Sequence, residues 1–137
     1  MHARCSTGSA NGGPRGYACH ASNLQLEESG VKYLLVINGN DPETIWNALR
    51  FGSAVLSRGH EAAAFLLGAA VEIEQLDNAR FDVHRLLLRF DELGGVVLSC
   101  TTCLRLRKMD AAAVCPMSTM DDLARLTEEA DRVLTFG

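Results

Sequence analysis

The stretch VKYLLVINGNDPETIWNALRFGSAVLSRG, residues 31–59, decides the fold of this chain. It opens with a β-rich apolar run that ends in glycine, which is typical of a strand buried on both faces of a sheet. Asp41 can cap a following helix, Pro42 suits the first helical position, and Gly59 ends the helix. The stretch therefore predicts a buried strand followed by a crossover helix.

The rest of the chain continues this alternation. Strands are predicted at HEAAAFLLG, VVLSC, AAAVCPM and RVLTF, and a helix at FDVHRLLLRFDELGG. A short helix is expected from about Thr101, and Thr119 is expected to cap another one, with Asp121 and Asp122 in its first turn. The alternation predicts an α/β fold, a three-layer sandwich with a mainly parallel five-stranded sheet. Sites in such sheets gather at the carboxyl ends of the strands.

Composition divides the chain into two parts. The 137 residues are 47% hydrophobic, which is enough for one domain with a real core. Residues 1–30 are rich in Gly, Ser, Asn and Ala without any period, so they are expected to form a flexible N-terminal tail. The cysteines and histidines of this tail match no zinc spacing. The domain is predicted to span residues 31–137.

Charge and cysteine content exclude several classes of protein. The net charge of −4 argues against a nucleic-acid binder. No apolar run approaches the ~20 residues of a membrane span, and the start of the chain lacks the apolar core of a secretory signal. The five cysteines are an odd number, which favours reduced thiols over a disulfide framework. The expected location is cytoplasmic, with no nucleic-acid or membrane partner.

The segment VVLSCTTCLRLRKM, residues 96–109, places a C-x-x-C pair at the end of the third predicted strand. A structural zinc site would need a second such pair or a pair of histidines, so no metal or other cofactor is expected. A thioredoxin-type pair usually carries Gly or Pro between its cysteines, whereas threonines stand here. Cys115 lies between Val114 and Pro116 and is interpreted as a small buried hydrophobe.

Cys100 and Cys103 are the candidate catalytic residues. Cys100 falls where a strand ends and a helix begins, and unpaired backbone N–H groups there favour a thiolate. Cys103 lies on the same helix face, and Arg107 continues that face and can add positive charge near the sulfurs. Thr101 and Thr102, between the cysteines, complete the candidate site with Arg107. A thiolate nucleophile in an electropositive, partly open setting is expected.

Three segments in order carry a resemblance to a known family. They are NGNDPETIWNALRFGSAVLSRGHEAAAFLLG, GGVVLSCTTCLRLR and the ending ADRVLTF. Together they resemble the DsrE/DsrF family of sulfur-relay proteins, which includes TusD-type and YchN-type chains. The likeness covers about residues 31–137, and the C-x-x-C-L-x-x-R stretch resembles the cysteine segment of that family.

The resemblance implies a fold, an assembly and a chemistry. The fold is a five-stranded α/β domain that assembles into trimers or hexamers, sometimes with sister subunits. The chemistry is a persulfide relay without metal or nucleotide, in which Cys100 accepts sulfane sulfur and passes it to a partner thiol. Cys103 matches a position that is cysteine in only part of the family. The implied partners are sulfur donor and acceptor proteins.

Other functions fit the residues as well. Cys100 and Cys103 could instead form a thiol–disulfide redox pair, or the chain could be a non-catalytic oligomeric binding module with incidental cysteines. A metal-binding module is the third alternative. Trp46 and Phe51 lie off the apolar stripe of their predicted helix, and Phe81 is ambiguous in the same way. These aromatic residues are interpreted either as oligomer contacts or as peripheral core packing.

Overall fold

A computed structural model describes residues 30–76, 78–112 and 114–137 of the chain. The predicted N-terminal tail, with His2, Cys5, Cys19 and His20, lies outside these described residues apart from Gly30.

The described residues form a five-stranded sheet with flanking helices. The strands are β1 (Lys32–Asn38), β2 (Glu61–Leu67), β3 (Val96–Cys100), β4 (Met117–Ser118) and β5 (Arg132–Phe136). The helices are α1 (Pro42–Ser57), α2 (Val83–Glu92), α3 (Thr101–Leu106) and α4 (Met120–Glu129), and a 3₁₀ helix spans Gly68–Gln75. The strand order is β4-β3-β2-β1-β5 and every pair is parallel. The predicted α/β fold with its parallel five-stranded sheet is confirmed.

Local signals explain where α1 begins. The Asp41 side chain accepts hydrogen bonds from the Thr44 backbone N–H at 2.9 Å and from the Thr44 hydroxyl at 2.8 Å. These bonds hold the pKa of the Asp41 carboxyl below its usual value. Pro42 is the first helical residue, as predicted. The buried face of α1 consists of Ile45, Ala48, Leu49, Gly52 and Val55. Leu56, the next residue, is half-buried.

The core between the helices and the sheet is built around Phe90 of α2, which is fully buried. Its ring lies against Gly52 of α1 so closely that a Cβ atom at Gly52 would be 2.5 Å from Phe90 Cε1 and 3.0 Å from Leu35 Cδ1. Leu35 of β1 in turn is in register with Ala64 of β2. Glycine at position 52 therefore lets α1, α2 and β1 meet at one point.

Two elements differ from the sequence-based expectation. The fourth strand was predicted at residues 111–117, but β4 is Met117–Ser118. Pro116 has no N–H to donate to a strand ladder, and the Cys115 N–H bonds back to the Ala112 carbonyl at 3.0 Å, so the preceding residues form a turn. The 3₁₀ helix was not predicted at all, and it buries Ala70, Val71 and Ile73.

Helix α3 is short because the backbone reverses immediately after it. Lys108 has a φ of +54°, the left-handed region that favours glycine. The Met109 N–H then bonds to the Leu104 carbonyl at 3.0 Å, which closes the helix. Cys103 lies in the first turn of this six-residue helix, and Cys100 is the N-cap residue just before it.

The carboxyl-terminal part of the chain adds β5 to the sheet as the edge strand beside β1. The predicted cap of α4 is confirmed: Thr119 and Asp122 form a reciprocal capping box, and these hydrogen bonds lower the pKa of Asp122. Just before β5, Asp131 exchanges hydrogen bonds with Lys32, each 2.9 Å long, and thereby joins the starts of β5 and β1. None of the helices in the described ranges is long and apolar enough to span a membrane.

Candidate functional site

The two cysteines of the site have different exposures. Cys100 is the last residue of β3 and the N-cap of α3, and its Sγ accepts a hydrogen bond from the Cys103 backbone N–H at 3.4 Å. Cys100 is only 2% exposed, whereas Cys103 is partly exposed. The expected open setting is therefore wrong for Cys100. Its Sγ points into the fold because Cys100 follows Leu98 on a face of β3 that packs against the core.

The Cys103 thiol meets the end of the neighbouring strand. Gly68, the first residue after β2, donates its backbone N–H to Cys103 Sγ at 3.2 Å. Gly68 has a φ of +56°, and a Cβ atom there would collide with Asn38 Oδ1. Any other residue at this position would have a strained backbone conformation and a steric clash. The hydrogen bond from the position 68 N–H to Cys103 Sγ therefore depends on glycine.

A polar network lies beside Cys103 at the same edge of the sheet. Arg107 donates from Nε to Glu72 Oε2 at 2.9 Å and from one terminal nitrogen to the Cys103 carbonyl at 3.2 Å. Asn40 donates its side-chain amide to the other carboxylate oxygen of Glu72 at 3.0 Å. The network links the segments that follow β1, β2 and β3, which is where sites of parallel sheets form.

Glu72 and Gly68 were missed from the sequence. Both belong to the 3₁₀ helix, and its short, alanine-containing sequence shows no clear period. The rule that sites form at strand ends would have pointed to the residues after β2 as well, but without an assigned element no side chain there could be placed. Arg107, a candidate from the sequence, contacts the Cys103 carbonyl and forms an ion pair with Glu72.

The surroundings of the Cys103 thiol disfavour its charged form. Burial, and next the hydrogen bond with the Cys100 thiol, raise the pKa of Cys103 above its ordinary value. The Gly68 N–H and the charge of Arg107 act in the opposite direction and do not cancel these effects. Around Cys103, desolvation of the charged form therefore outweighs the nearby positive charge.

Alkylation of Cys103 is expected to titrate above the ordinary thiol pKa of 9.0. Arg107→Gln should move the midpoint to still higher pH, because it removes a charge that stabilises the thiolate. The measurement is the rate of iodoacetamide labelling against pH, with the modified cysteine identified by peptide fragmentation in a mass spectrometer. Arg105→Gln, at an exposed neighbour, is the matched control and should leave the midpoint in place. A midpoint below 9.0 would contradict this account.

The other candidate residues take structural positions. The Thr101 hydroxyl donates to the Ser118 carbonyl at 2.8 Å and ties α3 to β4. Thr102 is exposed. Cys115 is buried, as interpreted from the sequence, and burial raises its pKa to about 12. Within the described ranges no three His, Cys, Asp or Glu side chains are grouped so that they could hold a metal ion.

Comparison with known proteins identifies the family and a similar fold. The DsrE/DsrF-like family model matches residues 31–136. A crystal structure of the ychN protein from E. coli is similar, with a TM-score of 0.70 and 26% sequence identity, covering 77% of this chain and 99% of that chain. No curated protein matches the chain. The chain belongs to the DsrE/DsrF-like family, the sulfur-relay family that its cysteine segment resembles.

Proposed function

We propose that this protein is a sulfur carrier that holds sulfane sulfur as a persulfide on Cys100 and passes it to the thiol of a partner protein. The observation that carries the proposal is the placement of the two cysteines. The Cys103 side chain is partly exposed, and its backbone N–H donates to the Sγ of the buried Cys100 at 3.4 Å, next to a network that joins three strand ends. Family membership supports sulfur relay in general.

Burial of Cys100 requires a route for the incoming sulfur, and Cys103 supplies it. The Cys103 thiolate attacks the outer sulfur of the donor persulfide, which forms a persulfide on Cys103 and releases the donor thiolate. The Cys100 thiolate then attacks that outer sulfur, so that Cys100 carries the persulfide and Cys103 returns to a thiolate. Release to the partner runs through the same exchanges in reverse. Every step exchanges one sulfur–sulfur bond for another, so no oxidant or reductant is needed.

The same burial protects the loaded sulfur. The rate of thiol exchange depends on access of the attacking thiol, so a persulfide on a residue that is 2% exposed is shielded from stray thiols in solution. Only a partner able to reach Cys103 would then receive the sulfur. This gives the relay its selectivity without any metal or nucleotide.

The proposal is tested by intact-mass spectrometry of the full chain before and after incubation with a low-molecular-weight persulfide. A gain of one sulfur atom per chain, lost on reduction, is the expected result. Absence of any added sulfur under conditions that load an unrelated reactive thiol would rule the carrier function out. The cysteine variants that locate the sulfur are treated in the Discussion.

A thiol–disulfide redox pair is the second candidate, and the hydrogen bond from the Cys103 backbone N–H to Cys100 Sγ, which keeps the two cysteines adjacent, favours it. Such a protein would lose two hydrogens on mild oxidation and regain them on reduction, and both cysteines would be required. It would carry no extra sulfur. The mass measurement above therefore separates the two functions in one experiment.

We further propose that the chain forms a homo-oligomer, a trimer or hexamer, or a hetero-oligomer with sister subunits. Val96 and Val133 are 51% and 43% exposed, and their register places them on the same face of the sheet as Leu34. Helix α4 has no buried residue of its own and leaves these valines uncovered. Apolar groups exposed in this way are covered in many proteins by another subunit.

Light scattering coupled to size-exclusion chromatography is expected to give the mass of three or six chains. Val96→Asp should shift the protein to smaller species, whereas Thr102→Asp, at an exposed position on α3, serves as the charge-matched control. A monomer that persists over the accessible range of protein concentration would contradict self-assembly.

A further inference from the structure

A cluster of arginine and aromatic side chains covers the outer surface of α1 and α2. This arginine–tryptophan surface consists of Trp46, Arg50, Arg80, Phe81, Arg85 and Arg89. The four arginines are exposed and the two aromatic side chains are half-buried. Its residues lie on α1, on α2 and just before α2, and they take no part in the cysteine site.

The aromatic rings hold two of the guanidinium groups in place. Arg50 Cζ lies 4.5 Å from the centre of the Trp46 ring, and Arg80 Cζ lies 5.4 Å from the centre of the Phe81 ring. The two rings contact each other edge to face, with centroids 5.3 Å apart. Stacking of this kind fixes the plane of a guanidinium while leaving its N–H donors free to bind an acceptor.

A groove of about 300 Å³ runs beside Trp46. Trp46 and Leu86 provide its apolar walls, and Arg85 and Arg89 stand at its rim. Asp82 also lines the groove, but its carboxylate is engaged as the cap of α2, where it accepts the Arg85 backbone N–H at 3.0 Å. The groove thus offers an apolar pocket next to two guanidinium groups.

Positive charge exceeds negative charge at this surface, where four arginines lie near the Asp82 carboxylate. None of its four arginines forms an ion pair with a described carboxylate, and Arg50 instead donates to the neutral Asn47 side chain at 3.1 Å. Arg85 and Arg89 are four residues apart on one helix, where like charges repel. The surface is basic although the whole chain carries a net charge of −4.

We propose that the arginine–tryptophan surface binds an acidic segment of a partner protein, with an apolar side chain of that segment in the groove and its carboxylates on the arginines. Arginine and tryptophan are the residue types that dominate binding energy at protein interfaces. Guanidinium groups match carboxylates in charge and in bidentate geometry. The complementarity is therefore both apolar and ionic.

A protein segment fits this surface better than a nucleic acid does. The basic residues surround one short groove instead of following a phosphate backbone. The apolar wall formed by Trp46 and Leu86 also suits an aliphatic side chain. This inference does not depend on the proposed sulfur chemistry.

The chain contains a single tryptophan, Trp46, so intrinsic fluorescence reports on this surface alone. The probe is a blocked octapeptide with a central leucine flanked by aspartates and glutamates, titrated into the full chain at low salt. We expect saturable binding that shifts the Trp46 emission and weakens as salt is added. The double variant R85Q/R89Q should weaken binding by about tenfold or more.

Two comparisons make the test decisive. The double variant R58Q/R132Q removes the same charge elsewhere and should bind the peptide like wild type, and the peptide with all carboxylates replaced by amides should not bind. No emission change, or equal loss in both double variants, would overturn the proposal. Tighter binding of a single-stranded oligonucleotide than of the acidic peptide would overturn the assignment to a protein partner.

Discussion

Cys100→Ser is expected to abolish stable sulfur loading, because a serine hydroxyl cannot carry a persulfide and thiols in solution remove a persulfide from the partly exposed Cys103. The variant should keep the fold. Serine is a preferred N-cap residue, and its oxygen can accept the Cys103 N–H in place of the sulfur. Intact-mass spectrometry after incubation with a persulfide donor should then show no stable added sulfur. An unchanged unfolding midpoint would show that the loss is chemical and does not result from unfolding.

Two further variants locate the sulfur. Cys103→Ser should load slowly but still load, because it removes the accessible thiol on the route and leaves the final carrier intact. Cys115→Ser should load like wild type, since that thiol is buried and its pKa is raised to about 12. Normal loading of Cys100→Ser would place the persulfide on Cys103 and contradict its assignment to Cys100. No loading in any form, with a reversible loss of two hydrogens that needs both cysteines, would establish the redox pair instead.

Phe90→Ala is expected to destabilise the fold by about 3–5 kcal/mol. The ring is fully buried between α1, α2 and the sheet, and its removal leaves a cavity that the surrounding backbone cannot fill. Denaturant unfolding followed by circular dichroism measures the cost. Leu88→Ala, at an exposed position on the same helix, is the matched control and should change the free energy of unfolding only slightly.

A double-mutant cycle connects this cost to Gly52. Gly52→Ala alone should destabilise by about 1–2 kcal/mol, because its Cβ atom would press on Phe90 although alanine is the better helix former. In the Phe90→Ala background the contacts with the ring are absent, the end of the flexible Leu35 side chain can move into the cavity, and the same substitution should stabilise by up to about 1 kcal/mol. Additive effects of the two substitutions would mean that the ring does not set the need for glycine at position 52.

The parts of the fold that were predictable depend on local signals. Asp41 and Pro42 mark the start of α1, and Thr119 marks the start of α4, through hydrogen bonds that span only three residues. The buried strands β1 and β3 are apolar runs with clear ends. The alternation of strands and helices along the chain then predicts the parallel sheet, because two strands joined by a crossover helix usually pair in parallel.

What the sequence could not predict depends on contacts between distant segments. The burial of Cys100 results from how β3 packs, and no pattern in the cysteine segment reports it. Glu72 reaches Arg107 across 35 positions of the chain, from a 3₁₀ helix without a recognisable period. The position of β4 was missed because an alanine-rich run looks similar in a strand and in a turn.

The link between Lys32 and Asp131 has a consequence for how the chain folds. These residues are 99 positions apart, and among the described strands β5 pairs only with β1. Closing so long a loop costs entropy before the pairing returns any stability, so this step is intrinsically slow. A nascent chain therefore exposes one edge of β1 until residue 136 has been synthesised. An open strand edge is a template for pairing with other chains, so this interval is when the protein is most exposed to aggregation.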